Sequence, residues 1–196
     1  AGVVAPAVEA TAEGVRVIVQ QIYNYAIQKL IVEVNPALPL RGVVQVPPAR
    51  HYRHLCEAEL GAFWCAIEKQ GARFVTIAAA KLLAYSMCRK SEVLRAQWAE
   101  FDLERAVWEI PAARMKMKRP HRVYLPRQAV ELLQLLRAVT GMTEGYVFPS
   151  LCRRSVPIAD VTLNHLFKRP DFGVGDFAPH GLRATGAMLL REHGFS

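Results

Sequence analysis

The sequence predicts an α+β fold, mainly helical, on three observations. Apolar residues recur at helical spacing on both sides of a central stretch, Trp98 to Pro126, which instead carries short runs of β-forming residues. The order is helices, then three strands, then helices, which favours a small antiparallel sheet with helices around it over alternating βαβ units. At 196 residues the chain holds one good-sized domain, or one domain and part of another.

The elements follow in order. Val15, Ile18, Val19, Ile22, Ala26 and Leu30 fall on one helical stripe, with Thr11 as the expected N-cap and Asn35-Pro36 closing the segment. A stretch holding Pro36, Pro39, Pro47 and Pro48 follows, where neither a helix interior nor a central strand is comfortable, and it reads as an interdomain linker. One helix cannot bury a core by itself, and the chain does not begin with Met, so residues 1–50 are expected to be the end of a domain begun upstream plus the linker, with residues 51–196 as a second domain. Leu60, Phe63, Trp64 and Ile67 mark the next helix, and Ile77, Ala80, Leu83 and Ala84 one that runs to about Met87. Strands are expected around Phe101, at Val107–Ile110 and at Arg122–Leu125. Helical spacing resumes at Val130, Leu133 and Leu136, ending at Gly141, then at Leu163, Leu166 and Phe167, and finally from Gly181 to His193 before Gly194.

The composition, 52% hydrophobic and 21% charged, is that of a globular protein, and no apolar run approaches the roughly 20 residues of a membrane span. A membrane partner is therefore not expected. A formal net charge of +8 and a pI near 9.6 favour a polyanionic partner. Cys56, Cys65, Cys88 and Cys152 form no C-x-x-C pair and stand near no zinc-like His cluster, so free, buried thiols are expected, with no metal. With no export signal at the N-terminus, the cytoplasm is the expected compartment.

Three local patterns bear on chemistry. His180 and Arg183 stand three apart at the start of a helix, on one face; a guanidinium can grip the non-bridging oxygens of a phosphate while an imidazole moves a proton beside it. The same spacing also occurs on ordinary solvated helix faces. Arg89 and Glu92 are likewise three apart, so the carboxylate could orient the guanidinium, or the two could form a plain surface ion pair. The third pattern is the basic run Arg114-Met115-Lys116-Met117-Lys118-Arg119-Pro120-His121-Arg122, between the second and third strands. So cationic a tip repels itself unless something anionic lies across it, and alternation would aim Lys116 and Lys118 to one side if strand geometry persists. A solvated loop is the competing reading.

Taken in order, the pieces resemble the phage integrase, or tyrosine recombinase, family, in its prophage-type branch. The resemblance is carried by Cys88-Arg89-Lys90-Ser91-Glu92, Trp98, Phe101-Asp102-Leu103, Trp108-Glu109-Ile110-Pro111 and Arg114-Met115-Lys116. It continues through His121–Leu125, Tyr146-Val147-Phe148-Pro149-Ser150 and Pro179-His180-Gly181-Leu182-Arg183-Ala184-Thr185. It covers roughly residues 52–196, and the first helix resembles the end of the family's core-binding domain. A type IB topoisomerase shares the residue set but not these phrases.

The resemblance implies an integrase-type catalytic domain of helices around a three-stranded antiparallel sheet. It implies attack of a tyrosine on a DNA phosphodiester to give a 3′-phosphotyrosyl link, without metal or nucleotide cofactor. Arg89 and Arg183 would neutralise the phosphate oxygens, His180 would assist proton transfer, and Glu92 would support Arg89. Lys116 would protonate the leaving 5′-oxygen, with Lys118 the alternative one hairpin turn on. Arg114, Lys118, Arg119 and His121 are expected to bind DNA. In the family the tyrosine follows the H-x-x-R motif by a considerable distance, whereas Tyr23, Tyr25, Tyr52, Tyr85, Tyr124 and Tyr146 all precede His180. The expectation is a catalytic domain incomplete at its C-terminus, inactive and monomeric alone, from a parent tetrameric on double-stranded DNA attachment sites. The alternative is a non-catalytic DNA-binding protein on the same scaffold.

Overall fold

The chain divides into two units, residues 1–51 and 52–196. The structure, a computed structural model, describes residues 6–43, 53–115, 117–169, 175 and 177–195, with backbone only for 6–10.

In the first unit, helix α1 runs from Pro6 to Gln28. Proline at the first helical position has its φ already set and no N–H to leave unpaired, so the helix starts five residues before the expected cap and Thr11 lies inside it. The far end also differs from expectation. Leu30 takes a left-handed φ of 56°, its N–H donates to the Ile27 carbonyl at 2.9 Å, and the Ile31 N–H reaches back to Ala26 at 2.9 Å. This is a Schellman stop, built here without glycine. Asn35 does not end the helix; buried, it ties the returning chain to it, its Nδ2 donating to the Gln20 carbonyl at 3.0 Å and to Asn24 Oδ1 at 2.7 Å. The expected apolar stripe remains largely uncovered, with Val15, Ile18, Ile22 and Leu30 all exposed.

The second unit contains α2 (Glu57–Lys69), α3 (Phe74–Ser86), α4 (Lys90–Leu94), α5 (Arg127–Thr140), α6 (Val161–Phe167) and α7 (Gly181–Glu192). Its sheet has strands β1 (Phe101–Asp102), β2 (Val107–Ile110) and β3 (His121–Tyr124), antiparallel in that order. The register pairs Phe101 with Trp108 and Trp108 with Val123. Trp108, fully buried, stacks on Phe101 with ring centroids 5.0 Å apart. Helix α3 is apolar all round and lies at the centre, burying Ala78, Ala79, Ala80, Leu82, Leu83 and Ala84, as a helix covered on every side must. One core runs from Leu55 to Leu182 and takes in Phe63 and Ile67 of α2, Leu133 and Leu136 of α5, and Phe167 of α6. Gly141, at φ 65°, ends α5 as expected. Of the four thiols, only Cys88 is buried; Cys56, Cys65 and Cys152 are exposed, because they sit at a helix cap, on the outer face of α2 and in a loop.

Candidate active site between the α3–α4 turn and α7

Helix α3 ends where Met87 turns left-handed, at φ 51°, its N–H donating to the Leu83 carbonyl at 3.1 Å. The reversal sends Cys88 into the core and sets Arg89 as the N-cap of α4. Glu92, at the third position of α4, satisfies the helix start from inside. Its Oε2 accepts the Arg89 backbone N–H at 2.8 Å, and its Oε1 accepts Arg89 Nη1 at 2.8 Å. The Glu92 side chain is only 5% exposed and that of Arg89 40%. This is not a plain surface pair: a buried carboxylate fixes a guanidinium whose outer edge faces solvent.

Helix α7 brings the second guanidinium to the same turn. Arg183 Nη1 donates to the Met87 carbonyl at 2.9 Å, two residues before Arg89. Two features hold α7 in place. Fully buried Thr185 accepts the Leu55 N–H through Oγ1 at 2.9 Å and donates to the Gly181 carbonyl at 2.9 Å. Gly181 lies so close to the Arg53 carbonyl and the Phe177 ring that no β-carbon fits between them. Phe177 in turn stacks on Phe167, with planes 11° apart. His180, exposed, caps α7 one turn before Arg183 and shares a cleft of about 290 Å³ with Lys90, Asn164 and Lys168. Lys90 Nζ donates to Asn164 Oδ1 at 3.1 Å, which fixes one cation on the rim of that cleft.

Cys88 reports on the charges around it. Burial pushes its thiol up to about 11; a hydrogen bond with Ser86 opposes this, Glu92 adds to it, and the Arg183 and Arg89 guanidiniums pull it back. Both arginines therefore lie within electrostatic reach of one buried sulfur.

Among its described residues, the basic stretch between β2 and β3 is not an extended strand. A 3₁₀ turn at Ala112–Arg114 and a left-handed Lys118, φ 51°, replace it, so alternation does not order its side chains. Lys116 lies outside the described residues. Lys118, Arg119 and His121 are exposed, and among the described residues no hydrogen bond or ion pair joins them to Arg89 or Arg183. Arg114, expected at the outer tip, is turned inward, its side chain 18% exposed. Its Nη1 donates to the Glu92 carbonyl at 3.2 Å, and its Nη2 to Glu100 Oε2, which also accepts Trp108 Nε1 at 2.9 Å. Sequence spacing gave no sign of Glu100, Asn164 or the Met87 carbonyl. Among the described residues, no group of three or more His, Cys, Asp or Glu side chains converges in a metal-binding arrangement, and no helix is long and apolar enough to cross a membrane.

The profile of the Phage integrase family matches residues 53–196. An integrase of Enterobacteria phage P4 is 31% identical over 189 residues, covering 90% of this chain and 43% of that protein. Prophage integrase IntA of Escherichia coli K12 is 37% identical over 110 residues, or 56% of this chain and 26% of that protein. Among solved structures, the Tn1549 transposon integrase in complex with a circular intermediate DNA superposes with a TM-score of 0.72 at 13% identity, over 95% of this chain and 68% of that one. A lambda integrase dimer bound to a COC′ core site gives 0.72 at 17%, with the same coverage. The structural likeness fixes the fold as that of an integrase catalytic domain. The chain belongs to the phage integrase family. It spans less than half the length of the curated relatives it matches.

Proposed function

We propose that the chain is the phosphate-gripping part of a site-specific DNA recombinase that cleaves and rejoins duplex DNA through a 3′-phosphotyrosyl intermediate. The observation that carries this reading is the convergence of two independently held guanidiniums, Arg89 on Glu92 and Arg183 on the Met87 carbonyl, at one turn. Two fixed cations beside an exposed imidazole suit a phosphodiester whose non-bridging oxygens gain charge in the transition state. In this reading Arg89 and Arg183 neutralise that charge and His180 hydrogen-bonds the phosphate and helps move the proton. Lys116 delivers a proton to the leaving 5′-oxygen, and Lys118, Arg119 and His121 contact the DNA backbone. Residues 51–196 form the catalytic domain and residues 1–50 the end of a core-binding domain with its linker. The nucleophilic tyrosine is none of the six in this sequence, all of which precede His180. The chain is monomeric alone, and its parent assembles on DNA.

Titration of a labelled duplex with the chain over a range of salt tests the reading. The expected result is binding that falls steeply with salt, log K against log [salt] losing about 0.9 in slope for each phosphate contact removed. Duplex binding absent even at low salt would overturn it. On a nicked substrate that traps covalent complexes, no adduct is expected from this chain; one would overturn the assignment of the nucleophile.

A further inference from the structure

We propose that Arg114 is a positioning residue for Arg89, not a DNA contact. The inference rests on the reading of Arg89 as a phosphate ligand.

Arg114 follows β2 by four residues and heads the basic stretch, where an outward guanidinium would meet the DNA backbone. Its surroundings are instead those of a buried tie. Its side chain is 18% exposed and that of Glu100 9%, so the pair is largely desolvated and its charge internally neutralised. Such a guanidinium has little left to offer a phosphate. Its Nε is buried without a partner among the described residues, a cost tolerated only where the rest of the fork is held firmly. Glu100 is held in turn: the oxygen that receives Arg114 also receives the indole N–H of fully buried Trp108. Through this carboxylate the sheet fixes where the Arg114 fork points.

The other end of the fork lands on the carbonyl of Glu92. Helix α4 has five residues, so its last carbonyls lack the usual partners four residues on. The Ala96 N–H, which would serve Glu92 in a longer helix, donates to Val93 at 3.0 Å. Arg114 takes that place, and a cation there suits the negative end of the helix. Glu92 is the residue whose carboxylate grips both the backbone N–H and the guanidinium of Arg89. The chain of contacts thus runs from Trp108 through Glu100, Arg114 and Glu92 to Arg89, linking sheet to phosphate site.

The test is made on the full chain labelled with ¹⁵N, reading the arginine Nε–Hε signals and the salt dependence of duplex binding. Arg89 is identified by Arg89→Lys, and Arg122, held by Glu109 on the sheet's outer edge, is the internal control. In Arg114→Gln and in the milder Glu100→Gln, the Arg89 signal is expected to shift and broaden while Arg122 stays unchanged. The double variant is expected to do no more than either single one, because the contacts lie in series. With Arg89→Lys already in place, Arg114→Gln is expected to leave the salt slope where it is, whereas Lys118→Ala or Arg119→Ala lowers it by about 0.9. An Arg89 signal untouched by either substitution overturns the proposal, as that is what a purely structural ion pair would give. A slope that Arg114→Gln lowers by about 0.9 with Arg89→Lys already in place also overturns it, making Arg114 a phosphate contact. Failure of the wild-type chain to bind DNA instead counts against the underlying reading and leaves the arginine signals to decide the coupling.

Discussion

At the scale of the residue, Glu92 and Cys88 show how the turn that carries Arg89 is kept in order from beneath. Glu92 is buried with both oxygens engaged, so truncation removes a carboxylate and leaves the Arg89 N–H unsatisfied at the start of α4. Glu92→Ala is expected to destabilise the second unit by about 2–3 kcal/mol, read from urea unfolding; a loss below about half of that would mean the pair is no stronger than a surface one. Cys88 holds its proton to about 11, against an ordinary value of 9.0. Between these two values the unfolded chain loses the thiol proton while the folded chain keeps it, so the stability this group contributes is present below about pH 9 and fades as the pH rises toward about 11. The same burial predicts reactivity. At mildly alkaline pH, iodoacetamide is expected to modify Cys56, Cys65 and Cys152 in the native protein and Cys88 only after denaturation, as counted by mass spectrometry; native alkylation of Cys88 would contradict its burial.

At the scale of the element, the seating of α7 decides where Arg183 reaches, and its two internal glycines are not equivalent. A β-carbon at Gly181 would strike the Arg53 backbone and the Phe177 ring, neither of which can give way cheaply. At Gly186 it would meet Cγ, Sδ and Cε of the Met87 side chain, which can swing aside, and alanine gains about 1 kcal/mol of helix propensity in return. Gly181→Ala is therefore expected to lower stability by about 1–3 kcal/mol and Gly186→Ala to change it little, as compared by thermal melts. Equal effects would mean that α7 does not sit as described. Much of this architecture was legible in advance because it is written in local patterns. The β-formers at Val107–Ile110 and Arg122–Leu125 marked the sheet, and the three-residue spacing of Arg89 with Glu92 marked their ion pair, whereas that of His180 with Arg183 left the anchor of Arg183 unmarked. The rest depended on partners that sequence distance hides. Arg183 meets a carbonyl 96 positions away, and a carbonyl has no residue type to recognise. Arg114 meets Glu100 across 14 positions, so its charge suggested DNA when a buried carboxylate already claimed it. Leu30 ended α1 in a conformation that sequence patterns assign to glycine, which is why Asn35-Pro36 seemed the natural stop.

At the scale of the whole molecule, the two units differ in how they are held together. The core cluster lies entirely between Leu55 and Leu182, in the second unit, and includes Trp108 along with the aromatic packing of Phe63, Phe167 and Phe177. Among its described residues the first unit has one helix, a return pinned by Asn35, and exposed Val15, Ile18 and Ile22. Apolar burial is the main favourable term in folding, and the second unit carries a core of its own. Residues 52–196 alone are accordingly expected to unfold in one cooperative transition, with coincident near-UV and far-UV circular dichroism curves. Residues 1–51 alone are expected to show no such transition. The shorter chain should also keep the Arg89–Glu92 and Arg183–Met87 contacts, because every residue in them belongs to the second unit. Loss of cooperativity on removing residues 1–51 would mean that the turn carrying Arg89 draws its order from the first unit as well.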